Sequence, residues 1–306
     1  MEIGIIGSGA MGSLFAYLLA KSGKNPWLLD INRDWVDKVR KDGLAVEGIS
    51  GNHTVKVKIT TDPGEIKILD LAVLFVKSYD TEKAVKDALS LVGENTIVLT
   101  LQNGLGNIEK IGRVIGMENI LGGITSQGAT VLEKGRIRHA GRGETVIGEM
   151  SGKITDRLRK VLKIFNQAEI RTEASEDVVS LIWSKLLINA GINALTAITR
   201  LKNGRLLDFP ETREILRQAV EEAIRVSRAK GIKIIYPDPV KKVESVCEKT
   251  HDNISSMLQD VLNNKKTEID AINGAIVSEG KRLGISTPIN KILTNLVVTL
   301  EKTANI

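Results

Sequence analysis

The chain begins Ile3-Gly4-Ile5-Ile6, passes through Gly7-Ser8-Gly9-Ala10-Met11-Gly12, and continues into an apolar stretch that ends at Lys21. A β-branched run, a G-x-G-x-x-G hexapeptide and a helical segment, in that order, can fold in few ways. Gly7 permits a tight turn, Gly9 lets the backbone approach a pyrophosphate, and Gly12 lets the helix pack close to the strand. The helix start offers N–H groups and a positive dipole end to phosphates. A second strand ends in Leu28-Leu29-Asp30, with its acidic residue about 20 positions on, as a dinucleotide fold requires. A carboxylate there accepts from a ribose 2′-OH and repels a 2′-phosphate, which favours NADH. Arg33 follows three residues later and can meet a 2′-phosphate, so NADPH stays open as the alternative.

The rest of the first half repeats this alternation. Ile3–Ile6, Asn25–Leu29, Leu71–Val76, Thr96–Leu101 and Ile120–Ile124 read as strands, and Gly12–Lys21, Arg33–Arg40, Thr81–Leu91 and Gly104–Ile111 as helices. Alternation of this kind predicts βαβ units in a doubly wound, mainly parallel sheet. Leu71–Val76 is apolar throughout, as a strand buried on both faces must be. Around Gly135–Gly148, polar and apolar residues alternate between glycines, which predicts a hairpin extending the sheet in antiparallel fashion. One more helix is expected over Ser151–Ala168.

From Asp177 onward the apolar spacing is helical: Val178–Thr199, Glu211–Lys230, Pro239–Glu248, Ser255–Asn263, Thr267–Leu283 and Asn290–Glu301, broken at Asn203-Gly204, Gly231, Pro237-Asp238-Pro239 and Gly284. A length of 306 residues already favours two domains. The expectation is an α/β Rossmann domain over residues 1–172 and an all-α substrate domain over 173–306, with the boundary near 170–177.

Composition removes several function classes. The 43 Lys+Arg are interspersed with 37 Asp+Glu, and only 3% of residues are aromatic, so neither a basic patch nor stacking platforms for nucleic acid are in view. The three histidines, His53, His139 and His251, have no metal-ligand spacing, so no metal is expected. The single cysteine, Cys247, excludes an intrachain disulfide and fits a reducing compartment. No apolar run is expected to approach the ~20 residues of a membrane span, and the N-terminus has no signal-peptide order. A soluble cytoplasmic protein is the expectation. The apolar C-terminal helix could cap the core or form a homodimer contact.

The segment Trp183–Thr196, WSKLLINAGINALT, has the composition of a buried helix, yet Lys185, Asn189 and Asn193 stand at i, i+4 and i+8 on one face. A solvent face usually carries several charges, and none lies between Lys185 and Arg200. The stripe therefore predicts a polar line facing a cleft, with Lys185 as proton donor and the two amides orienting substrate. Reduction of a ketone by hydride leaves alkoxide character on oxygen, which an ammonium of lowered pKa can protonate.

Four blocks give the chain a wider likeness: GIIGSGAMGS at the start, FVKSYDT after the strand near 76, LQNGLGN after the strand near 101, and the pair WSKLLINAGINALTA with SSMLQDVLNNKKTEIDAING. In these it resembles the ketopantoate reductases over almost its whole length. The resemblance implies a Rossmann domain, a helical domain and an active site in the cleft between them, with NAD(P)H reducing ketopantoate to pantoate on the route to pantothenate and coenzyme A. It further implies Lys185 as general acid and Glu268 as a second catalytic residue contacting substrate. It implies Asn189 and Asn193 on the substrate hydroxyl, Asn253 and Ser256 on its carboxylate, and Lys77 and Asn103 on the nicotinamide side. Pyrophosphate contacts fall on Ser8, Gly9, Ala10 and Met11. Many members use NADPH, with a basic residue near the position of Asp30, and here the chain departs from them. Two alternatives remain: a related reductase of another small 2-oxo acid, and an NAD(H)-sensing regulator without catalysis.

Overall fold

The computed structural model describes residues 1–303, in two compact units. The first comprises residues 1–102 and 107–178, the second residues 103–106 and the chain from 179 onward.

In the first unit, β1 (Ile3–Ile6), α1 (Ala10–Lys21) and β2 (Trp27–Leu29) form the opening crossover, followed by α2 (Arg33–Asp42), β3 (Leu44–Gly48), β4 (His53–Val55) and β5 (Lys58–Thr60). Then come β6 (Leu69–Leu74), α3 (Thr81–Asp87), β7 (Val92–Thr100), α4 (Asn107–Ile115), β8 (Ile120–Thr125), β9 (Gly128–Glu133), β10 (Arg136–Gly141), β11 (Thr145–Glu149), α5 (Asp156–Gln167) and β12 (Thr172–Ala174). The main sheet runs β12-β11-β8-β7-β6-β1-β2-β5, and every neighbouring pair is parallel except β11 with β8. This is the doubly wound Rossmann arrangement. The chain leaves β1 towards β2 on one side and later returns on its other side through β6, so the strand order reverses at β1, where such folds take their ligands.

The alternating stretch 135–148 is indeed β-structure, but it does not fold back on itself. β10 pairs with β9 and β3 in a second sheet of order β4-β3-β10-β9, whereas β11 joins the main sheet. The chain parts between them at Gly143, where an added Cβ would lie 2.2 Å from the Ser126 carbonyl oxygen, too close for any other residue without movement. The second sheet has a definite task. It packs on the side of α1 away from the main sheet, so Leu14, Phe15, Tyr17, Leu18 and Leu19 are all buried, in one core with Val46 and Ile137. A separate apolar layer on the opposite face of the main sheet joins Leu74, Val85, Leu91 and Ile111.

The second unit is helical: α6 (Val178–Thr199), α7 (Pro210–Ala229), α8 (Pro239–Lys249), α9 (Ser256–Leu262), α10 (Asn273–Arg282) and α11 (Pro288–Thr303). Against expectation, α6 is long and apolar enough by length and composition to cross a membrane. Its side chains are otherwise employed: 67% of its most apolar window is buried, and Leu186, Leu187, Ala190 and Leu195 share a core with Leu216, Val220 and Val243. Gly191 permits this closeness, since a Cβ there would meet Val220 at 2.9 Å and Val243 at 3.0 Å. The expected helix over 267–283 is interrupted: a 3-10 turn, Ile269–Ala271, precedes α10, and Ile272 between them takes φ −105°, ψ −94°.

Candidate active site

At the end of β1 the chain turns through Gly7 at φ +96°, a conformation that L side chains rarely adopt. An added Cβ at Gly7 would lie 2.8 Å from the Val76 nitrogen, so the glycine loop sits directly against the strand end that leads to Lys77. Gly12 is tighter still, its Cβ position 1.9 Å from the Gly7 carbonyl oxygen, whereas nothing lies within 4 Å of the Cβ position of Gly9. The loop thus has two positions closed by the protein and one open to an incoming group. Above them, the first-turn N–H groups of α1, from Ala10 and Met11 on, have no acceptor within the helix. An open Gly9 beside a helix N-terminus fits a pyrophosphate.

Asp30 stands at the end of β2, and its carboxylate is tied into the loop. Oδ2 accepts from the Ser8 amide at 2.6 Å and the Ser8 hydroxyl at 2.8 Å, and Oδ1 accepts from the Asn32 amide at 2.9 Å. Asn32 itself caps α2 by accepting from the Trp35 amide. Gln102, which the sequence reading did not single out within LQNG, donates from Nε2 to the Val76 carbonyl at 2.7 Å and to the Thr81 hydroxyl at 2.8 Å. It braces the strand end that carries Lys77.

In the second unit, Lys185 and Asn189 lie partly exposed on α6, and Asn193 is buried. Burial pulls the Lys185 ammonium down from the ordinary lysine range to about 8, while the Glu268 carboxylate pushes the other way. Glu268 is itself buried and precedes the 3-10 turn before α10. The two side chains expected to act as acid and partner therefore interact. Asn103 belongs to this unit as well. The adjoining Leu105 amide donates to the Ala271 carbonyl at 2.8 Å, and Gly104, at φ +81°, passes so close that a Cβ would lie 2.5 Å from the same oxygen.

Asn253 and Ser256 are both exposed. The residue that links this turn to α6 is their neighbour Ser255, whose hydroxyl pairs with that of Thr196 at 2.7 Å and accepts from the Leu258 amide to cap α9. Thr196 is three residues past Asn193, so the start of α9 lies beside the end of the polar stripe. The sequence does hold the signal for Ser255: a serine two residues before the apolar Met257-Leu258 pair reads as an N-cap. Among the described residues, no group of three or more His, Cys, Asp or Glu could hold a metal ion.

A doubly wound sheet whose glycine loop fits a pyrophosphate, together with a half-buried lysine of lowered pKa, is the equipment of a nicotinamide-dependent oxidoreductase. Residues 3–152 match the family model described as "Ketopantoate reductase PanE/ApbA", and residues 177–301 the model described as its C-terminal part. The chain belongs to the ketopantoate reductase family. A 2-dehydropantoate 2-reductase of Pyrococcus abyssi is 39% identical over 97% of each chain. A PanE/ApbA family ketopantoate reductase from Ralstonia eutropha superposes with a TM-score of 0.91 at 33% identity, and a D-mandelate dehydrogenase solved with NADH and anilino(oxo)acetate with 0.95 at 29%, each covering 100% of both chains.

Proposed function

We propose that the chain reduces ketopantoate to pantoate, with Lys185 as the proton donor. The observation that carries this reading is the lysine itself, an ammonium on an apolar helix whose pKa of about 8 suits proton donation near neutrality. The nicotinamide dinucleotide supplies the hydride, and the chain's own groups do the rest. Lys185 donates its proton to the carbonyl oxygen as alkoxide character develops there. Glu268 holds Lys185 protonated until that moment, contacts the substrate, and orients it. Asn189 and Asn193 hold the substrate hydroxyl, and Asn253 and Ser256 its carboxylate. Gly9, Ala10 and Met11 receive the pyrophosphate, Ser8, whose amide and hydroxyl both donate to Asp30, ties the loop to that carboxylate instead, Gly7 and Gly12 shape the loop, and Lys77 and Asn103 attend the nicotinamide. A regulator that only senses NAD(H) has no use for a proton donor on α6. The single cysteine, Cys247, buried and free, fits a protein that works in the reducing cytoplasm.

The likeness to D-mandelate dehydrogenase makes an aryl 2-oxo acid the competing substrate. Two amides in line on α6 favour an acid that carries a hydroxyl near its ketone. In a turnover screen, kcat/KM for ketopantoate is expected to exceed that for phenylglyoxylate by ~10²-fold or more, the scale of leaving a site's polar groups unmatched. The reverse order assigns the chain to aryl 2-oxo acids.

For the cofactor the proposal is NADH. The Asp30 carboxylate is fixed by three donors at the end of β2, so it cannot swing away from an incoming 2′-phosphate. Like charges juxtaposed this way cost several-fold to many-fold in affinity. Wild type is expected to use NADH ~10-fold or more better than NADPH, and Asp30→Asn, which keeps an acceptor for Ser8, to narrow that gap. A wild-type preference for NADPH reverses the assignment.

A further inference from the structure

We propose that Asn273, held by Asn290 and Glu222, is a positioning residue for the reaction: it pins the Lys185-bearing helix α6 to the segment that carries Glu268. Asn273 is completely buried at the start of α10. Its Nδ2 donates to the Ala190 carbonyl of α6 and to Asn290 Oδ1, both at 3.0 Å. Asn290 in turn donates to the Ala219 carbonyl at 3.0 Å and to Glu222 Oε2 at 2.7 Å. Glu222, on α7, also accepts the Ile289 and Asn290 amides, each at 2.9 Å, and so caps the first turn of α11 with a negative charge. The chain of bonds thus joins four helices, and its three side chains are at most 2% exposed.

Stability alone does not account for such a chain. Aliphatic side chains of the same volume would fill this core without the desolvation of two amides and a carboxylate. The Asn273 amide oxygen is buried without a partner among the described residues, so the side chain holds its place through its two N–H bonds. What those bonds fix is a separation. Ala190 is five residues after Lys185, about 7.5 Å along the helix axis. Asn273 is five residues after Glu268, across a turn closed by the Ala271 and Ile272 amides, which both donate to the Glu268 carbonyl. Neither five-residue span has slack, so the bond between Asn273 and Ala190 sets how far Glu268 stands from Lys185. The Asn103 loop is held by the same turn, through Ala271.

This rests on Lys185 and Glu268 acting as proposed above. Glu268 is the charge that raises the Lys185 pKa against burial, and its effect falls with distance. Loosening the pin therefore lowers that pKa, a result that lost stability by itself does not produce. The test is the pH profile of kcat/KM for ketopantoate, with melting temperature measured alongside, in Asn273→Ala and in Asn273→Ser, which keeps one donor in the buried site. The expected result is a fall in kcat of ~10-fold or more in Asn273→Ala, with the basic limb moved to lower pH by ~0.5 unit or more and a smaller displacement in the serine variant. A limb at the wild-type pH in whichever variant folds overturns the positioning role, however far the melting temperature drops. If Lys185→Ala keeps full activity, the catalytic reading itself is wrong; if that variant is inactive while the Asn273 limb stays put, only the present inference fails.

Discussion

Replacing Lys185 with alanine is expected to lower kcat by ~10²-fold or more, the scale of losing a general acid, while dinucleotide affinity stays unchanged. As the proposed donor, Lys185 must be protonated to act, and burial pulls it down to about 8, so kcat/KM is expected to hold level below that pH and to fall above it. Lys185→Arg keeps the charge but cannot give up its proton near neutrality, and it should be nearly as inactive as alanine. The stability effect runs in the opposite direction. Unfolded, the lysine keeps its proton to about 10.5; folded, it loses it at about 8. Between those values the unfolded state binds more protons, so stability rises with pH across that window, and below it the full cost of burying the ammonium remains. Lys185→Met alone strands the buried Glu268 carboxylate, so the variant that removes both charges, Lys185→Met with Glu268→Gln, should melt at or above the wild-type temperature, measured by calorimetry at pH 7. An inactive variant that is at least as stable locates the defect in chemistry. Wild-type turnover in Lys185→Ala removes the mechanism.

The glycine loop yields the second large effect, as a contrast between two alanines. Gly12→Ala places a methyl group 1.9 Å from the Gly7 carbonyl oxygen, which only a backbone shift can relieve. A loss of ~3 kcal/mol or more is expected, the upper range for overpacking a site that cannot yield, together with loss of dinucleotide binding. At Gly9 the same methyl meets nothing within 4 Å, and φ −61° is ordinary for alanine. Gly9→Ala should unfold within ~0.5 kcal/mol of wild type yet bind dinucleotide ~10-fold or more weakly, equivalent to ~1.4 kcal/mol, because the methyl occupies the open approach. Denaturant titration and fluorescence titration with NADH separate the two. Undiminished binding in Gly9→Ala would place the pyrophosphate elsewhere.

Much of this was legible because it is local. β1, α1 and the glycines between them are one contiguous signal, and α6 was readable to both ends, Val178 and Thr199, from spacing alone. What was not legible depends on partners distant in sequence. Residues 44–60 show no readable pattern, since three-residue strands such as His53–Val55, with two of its residues exposed, carry no periodicity. β3 and β4 become strands because β3 finds β10, some 90 residues away, where Val46 opposes Ile137, and β5 because it pairs with β2 at the edge of the main sheet. For the same reason the alternation in β10 points to the main sheet while the strand joins the second: alternation shows that a strand has two faces but not which edge it joins. The break at Ile272 hides within a sequence of good helical spacing, and right after it the amide of Asn273 reaches Ala190 across 83 residues, a contact that local spacing cannot show. In the site, Lys185 stood out because a charge on an apolar helix is conspicuous. Glu268 shares its stretch with two lysines and Asp270 and reads there as an ordinary surface carboxylate, so only family likeness points to it.

The burial of α1 on both flanks bears on how a ligand is received. A helix walled in by two sheets has no room to tilt or fray, so the amides at its start point in fixed directions whether or not phosphate is there. The anion seat proposed above would then be finished at the moment the chain folds, and an arriving dinucleotide would order itself rather than the protein around its phosphates.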